Sequence, residues 1–209
     1  MRLKHVKDAE EIVKNSKYVI NNPEEYKGSF NKLFDNNNPI YIEIGMGKGN
    51  FIIENAIKYP NINFIGIEKY DSVMVKAIKR LEELTLNNLK LIRMDANNIN
   101  NIFDKEICRI YLNFSDPWPK DRHAKRRLTS PNFLKKYEKI FKSKQDIIFK
   151  TDNRKLFEYS LMSFNELNYQ IEDITLNLYD DDYPLNIPTE YEIKFMSLGY
   201  PIYMISVKK

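Results

Sequence analysis

The stretch from Ile110 to Arg127 constrains the fold more than any other. Ile110-Tyr111-Leu112-Asn113-Phe114 is apolar and β-branched or aromatic at most positions, the pattern of a buried strand. It stops on Asp116, Pro117 and Pro119, and a proline cannot continue a central strand because it lacks the N–H that the ladder needs. Asp116 therefore sits where the strand ends, which in a parallel α/β sheet is where ligands bind. Trp118, the sole tryptophan, is lodged between the prolines. Five of the eight residues from Lys120 to Arg127 are Lys or Arg, and His123 lies among them. An acid, an aromatic and a phosphate-ready cluster so close together describe a site facing a polyanion.

The same punctuation recurs upstream. Ile40–Ile44 reads as a short strand, followed at once by Gly45-Met46-Gly47-Lys48-Gly49, and Phe51 to Ile57 reads as a helix. Strand, glycine turn and helix let backbone approach a cofactor closely. The dinucleotide fingerprint would need glycine at Asn50, and a P-loop would need Ser or Thr at Gly49. What remains, Glu-x-Gly-x-Gly-x-Gly, resembles the first motif of the Rossmann-like S-adenosylmethionine methyltransferases; a tight structural turn is the alternative. Asn63–Glu68 is a second strand ending in an acid, whose carboxylate can accept both ribose hydroxyls of a nucleoside. Asp71 to Leu84 is an amphipathic helix with Asp71 suited to the N-cap and Val75, Ile78 and Leu81 on one face. Leu89 to Asp95 is a third strand ending in an acid, and Asp95 with the Ala96 amide can read an adenine edge.

Cys108 to Phe114 is the fourth strand. Thr129-Ser130-Pro131 then opens a helix to Phe141, with a cap candidate before an early proline. Asp146–Lys150 is the fifth strand, followed by Thr151-Asp152-Asn153 and a helix to about Leu167. Tyr169 to Tyr179 alternates as a sixth strand, Asp180 to Pro188 is a loop, Thr189 to Phe195 follows, and Pro201 to Val207 is a final strand. The expected architecture is a doubly wound α/β domain over residues 39–209. Residues 1–38 form a polar arm, with a short helix between Asp8 and Ile20 and Tyr18, Tyr26, Phe30 and Phe34 packing it down.

Composition limits the partners. The chain has 209 residues and a formal net charge of +4, so the excess charge favours nucleic acid only where it is concentrated, as it is after Trp118. The single cysteine, Cys108, cannot form an internal disulfide and reads as a core residue. The N-terminus lacks the apolar run of a signal peptide, and no stretch reaches the roughly 20 apolar residues of a membrane span. A soluble protein of a reducing compartment is expected, with no membrane partner.

Glu43-Ile44-Gly45-Met46-Gly47-Lys48-Gly49, Gly66-Ile67-Glu68, Asp95-Ala96, Asn113 to Arg127, Lys150-Thr151-Asp152-Asn153 and Thr189-Glu190-Tyr191-Glu192 together resemble the bacterial single-chain tRNA (guanine-N7)-methyltransferases. The match runs in order from about residue 40 to the C-terminus. Its Asp-Pro-Trp-x-Lys-x-Arg-His-x-Lys-Arg-Arg block is highly specific, whereas the glycine loop is common to many methyltransferases. Met46 departs from it, standing where a smaller residue is expected.

The resemblance implies a class I, Rossmann-like fold, a mostly parallel sheet with helices on both faces and an antiparallel final strand. It implies transfer of the methyl group of S-adenosylmethionine to N7 of the variable-loop guanosine (position 46) of tRNA, in the cytoplasm. Glu43, Gly45, Gly47, Glu68, Asp95, Ala96 and Asp116 would hold the cofactor; Asp116 or Asp152 can serve as the carboxylate that pairs with the methylated base, and Asp116 is taken as the central catalytic group. Lys120, Asp152, Thr189, Glu190, Tyr191 and Glu192 would contact the substrate, and Arg122, His123, Ala124, Lys125, Arg126 and Arg127 the RNA. No metal and no obligate protein partner are expected, and monomer and homodimer both stay open. Guanine N7 carries a free lone pair at neutral pH, which agrees with the lack of a His or Cys set as a base. Trp118 reads equally as a stacking platform and as a packed residue. An exocyclic-amine methyltransferase would want two consecutive prolines after the acid, and here Trp118 separates them. A non-catalytic RNA-binding subunit would not be expected to keep the glycine loop and every strand-end acid.

Overall fold

The computed structural model describes residues 6–180, 183 and 186–209. Within the expected loop from Asp180 to Pro188, Asp181, Asp182, Pro184 and Leu185 lie outside the described residues. Seven strands form one sheet: β1 (Ile40–Ile44), β2 (Asn63–Glu68), β3 (Leu89–Arg93), β4 (Ile107–Asn113), β5 (Asp146–Thr151), β6 (Gln170–Thr175) and β7 (Tyr203–Lys208). Their order is β3-β2-β1-β4-β5-β7-β6, with only β7 antiparallel to its neighbours. The chain winds outward from β1 to β3 and returns to β4 at the other side of β1. The strand order thus reverses between β1 and β4, which opens a crevice at their C-terminal ends.

Helices cover both faces. On one lie α1 (Ala9–Asn15), α2 (Asn50–Lys58) and α3 (Asp71–Glu82), whose Val13, Ile52, Ile53, Val75, Ile78 and Leu81 join one core. On the other, α4 (Ile99–Ile102), α5 (Pro131–Tyr137) and α6 (Arg154–Glu166) bury Ile102, Leu134, Tyr137, Leu156 and Phe164 in a second. The stripe expected on α3 is present, but Tyr70 is its N-cap. Asp71 is instead the first helical residue, and its carboxylate takes the Arg93 guanidinium in two hydrogen bonds of 2.8 and 2.9 Å. Ser130 does precede Pro131 at the cap position of α5, yet its hydroxyl donates to the Lys125 carbonyl rather than capping, and the Thr129 hydroxyl lies 2.7 Å from that of Ser160.

The arm holds the short helix expected between Asp8 and Ile20. It ends at Asn15, and Val19 bridges to Leu91 beside β3, with Ile20 donating to the Leu91 carbonyl and Leu91 to that of Tyr18. Covering an open sheet edge satisfies backbone groups that another helical turn would leave exposed. Tyr18, Phe30 and Phe34 are buried as expected, while Cys108 is only half-buried.

Candidate active site

β1 ends at the glycine loop because its next residues adopt left-handed backbone, with φ of 79°, 59° and 77° at Gly45, Gly47 and Gly49. Side chains at Gly45 and Gly47 would meet nothing within 4 Å, so the loop presents bare backbone to open space. A side chain at Gly49 would collide with Ala77 of α3, and one at Gly66 with the Met46 sulfur. Met46 is thus buried over Gly66, where its bulk packs into the core.

The loop forms one wall of a cleft lined by Glu43, Lys48, Asn113, Phe114, Glu190 and Tyr191, among others. At its floor the Asn113 amide donates to Glu43 Oε1 at 2.9 Å. Glu43 Oε2 and Asn113 Oδ1 are buried with no partner. Glu43 is only 2% exposed, and burial pushes its carboxyl up to about 8, against the opposing pull of the Asn113 hydrogen bond and the Lys150 charge. An unpaired amide oxygen and an unpaired carboxyl oxygen at the base of a cleft are costly until a ligand pairs with them, and a docked cation would also favour the ionised carboxylate.

Glu68 backs the same loop. It accepts from the backbone N–H groups of Gly47, Lys69 and Tyr70 at 3.0, 2.8 and 3.1 Å. Burial raises its carboxyl, these bonds oppose the rise, and nearby Asp116 adds to it. Asp95 caps a short 3-10 turn that starts at Ala96, accepting from Asn97, and forms an ion pair with Lys69 at 2.8 Å. The Lys69 bond holds Asp95 below the usual carboxylate range. Ala96 is half-buried against the core.

Beyond β4 the backbone is strained on both sides of Asp116. Phe114 and Trp118 have φ of 50° and 42°, a region that costs a residue with a side chain about 1–3 kcal/mol. Asp116 is exposed between them, and Asp152 is half-buried just after β5. Lys120 precedes a 3-10 helix, Asp121–Arg126, that carries the basic cluster. Arg122, Lys125 and Arg126 are exposed, with His123 and Ala124 half-buried. Trp118 is half-buried too, with the Arg126 guanidinium 4.9 Å above its ring and His123 edge-on at 5.8 Å.

Arg127 departs from the expected RNA contact. It is buried, donates to the carbonyls of Pro117 and Trp118 at 3.0 Å each, and lies 4.2 Å from the Tyr159 ring. Its fork is committed to holding the Pro-Trp-Pro turn. Glu192 departs in a similar way from the expected substrate contact, while Thr189 lines the cleft and also commits its hydroxyl to the helix start. They form a capping box at the start of α7 (Glu190–Ser197), and Glu192 is fully buried on Lys150 at 2.6 Å. Glu192 also accepts from Tyr179, Asn186 and the Thr189 N–H. Thr189, Glu190 and Tyr191 line the cleft, and of these Glu190 and Tyr191 remain about 40% exposed.

Residues that sequence reasoning left out of the site are Lys48, Asn113, Phe114 and Lys150. Phe114 and Tyr191 lie near-parallel with ring centroids 6.2 Å apart. Lys150 reaches Glu192, Asn186 and the Ile187 carbonyl, and burial pulls its ammonium down while Glu192 and Glu43 oppose that.

A doubly wound sheet with one antiparallel strand, a bare glycine loop at its switch point and an acid beyond each of four parallel strands or within it defines a class: a Rossmann-like S-adenosylmethionine-dependent methyltransferase. Comparison with known proteins agrees. Residues 37–205 match a family model described as putative methyltransferase. The fold is shared with an antibiotic-related methyltransferase (TM-score 0.64, 17% identity, covering 87% of this chain and 92% of that one) and with the 16S rRNA methyltransferase KamB (0.63, 12%, the same coverage). A tRNA (guanine-N(7)-)-methyltransferase of Lachnoclostridium phytofermentans is 49% identical over 98% of this chain and 97% of its own. One of Bacillus cytotoxicus is 51% identical over 100% and 97%. The chain belongs to the tRNA (guanine-N(7)-)-methyltransferase family.

Proposed function

We propose that the protein transfers a methyl group from S-adenosylmethionine to N7 of the variable-loop guanosine of tRNA, in the cytoplasm. The observation that carries this reading is what β4 delivers in sequence. Asn113 and Phe114 line the cleft, Asp116 follows two residues later, and the exposed basic turn comes directly after. A cofactor cleft, an acid and a phosphate-binding surface on one continuous segment suit a methyl acceptor that belongs to a polyanion.

The residues fit the cofactor. Gly45 and Gly47 leave room for it, Glu43 Oε2 and Asn113 Oδ1 await a donor, and Glu68 and Asp95 stand at the ends of the next two strands. When bound, S-adenosylmethionine supplies an electrophilic methyl group on a sulfonium. Guanine N7 needs no base to become a nucleophile, so the chain's work is to align N7 and to stabilise charge. As the purine becomes cationic, a fixed carboxylate pairs with it better than with neutral guanine. Asp116 fills that role by accepting from guanine N1–H and the N2 amine, with Asp152 holding the base. Lys120, Glu190 and Tyr191 complete the substrate contacts, while Arg122, Lys125 and Arg126 meet phosphates.

The target nucleotide is tested with tRNA transcripts in which the variable-loop guanosine is replaced by adenosine. Loss of methyl acceptance supports the assignment; full acceptance moves the target elsewhere.

A further inference from the structure

Among the described residues lining the cleft, Lys48 is the single cation, and it is ion-paired to Glu190. The two come from opposite walls, Lys48 from the glycine loop and Glu190 from the first position of α7. Their side chains are 40% and 43% exposed, and exposed pairs are weak, so a better-placed anion can exchange with one partner. Glu190 is an exposed member of its segment, whereas Glu192 is buried. Two residues on, Glu192 is locked by Lys150 and the capping box, so the backbone stays fixed while the Glu190 side chain can swing.

The cleft also has a polarity. At its floor lie the acceptor Asn113 Oδ1 and the Glu43 carboxyl, which a docked cation would ionise, and the Lys48 ammonium stands at its glycine wall. That is the complement of an amino-acid zwitterion, with its ammonium on the acceptors and its carboxylate on the lysine. S-adenosylmethionine carries such a zwitterion at one end.

We propose that the Lys48–Glu190 pair is a latch worked by the cofactor: the methionyl carboxylate takes Lys48, and the released Glu190 becomes an acceptor for the incoming guanine. This rests on the methyl-transfer reading above. Cofactor binding then builds part of the substrate site, and productive tRNA binding follows it. No bond is made or broken; one ion pair replaces another.

Calorimetric titration without tRNA tests the latch, using S-adenosylmethionine and its decarboxylated analogue against wild type, Lys48→Met and Glu190→Gln. Both positions are exposed, so the variants are expected to fold. In wild type, loss of the carboxylate should weaken binding about tenfold or more, the size of a charged hydrogen bond. Lys48→Met should shrink that ratio to about threefold or less, and Glu190→Gln should leave S-adenosylmethionine bound as tightly or more so. A ratio undiminished in Lys48→Met, or weaker cofactor binding in Glu190→Gln, overturns the latch. Methyl transfer by wild type is scored separately. Transfer with an undiminished ratio sinks the latch alone, whereas a collapsed ratio without transfer sinks the methyl-transfer reading and leaves the exchange standing.

Discussion

Lys150 and Glu192 form a fully enclosed ion pair, Nζ to Oε2 at 2.6 Å with side chains 2% and 0% exposed. It joins the end of β5 to the segment that carries Glu190 and Tyr191 over the cleft. Asn186, Tyr179 and the Thr189 N–H fill the remaining positions on the carboxylate. Removing one member strands the other charge without water, a loss of about 3–5 kcal/mol. Lys150→Met should therefore lower the melting temperature by roughly 10 °C, measured by thermal denaturation. A change within a degree or two would mean that the pair contributes nothing.

Asp116 is exposed and carries no structural hydrogen bond among those described, so its removal should spare the fold. Asp116→Ala should cut turnover by about 100-fold or more and change the tRNA dissociation constant much less. Single-turnover rates and filter binding separate the two, and equal losses would remove Asp116 from the chemistry.

Glu43 makes the apo protein sensitive to pH. Its folded-state carboxyl titrates near 8 against an ordinary 4.5, so between those values the folded protein holds a proton that the unfolded chain releases. Stability from this group is full below about pH 4.5 and is lost as pH rises through 8. Wild type should lose stability between pH 6 and pH 9 in urea denaturation, and Glu43→Gln should lose clearly less. Some slope will persist, since burial raises Glu68 in the same direction. An equal slope in both proteins contradicts the buried neutral acid.

The basic turn divides into two kinds of arginine. Replacing Arg122, Lys125 or Arg126 should each reduce the slope of log affinity against log salt by about 0.7–0.9. Arg127→Ala should leave that slope intact and cost about 1–3 kcal/mol of stability, because two carbonyls lose their donor. Salt titrations of tRNA binding on the four single variants decide it.

The fold was legible where apolar runs met hard punctuation. β1, β2 and β4 end on glycines, an acid or prolines, and the observed boundaries follow them closely. The arm was less legible, because nothing in residues 16–20 announces the open edge of β3 that draws Val19 and Ile20 into extended backbone. Charge runs give no direction: Arg126 and Arg127 are adjacent in sequence, yet one lies in the solvent and the other under the Pro-Trp-Pro turn. Thr189 and Glu192 also have the spacing of a capping box, and in the structure that spacing starts α7 and buries Glu192, while Thr189 still lines the cleft. Lys150 stood inside the Lys150-Thr151-Asp152-Asn153 motif, but nothing there marked it as buried, since a lysine at a strand end is ordinarily solvated.

The most direct test of the account is transfer of labelled methyl from S-adenosylmethionine to bulk tRNA, followed by digestion and nucleoside analysis. A single labelled product, 7-methylguanosine, is expected. Label in any other nucleoside, or none despite binding of both cofactor and tRNA, would contradict it.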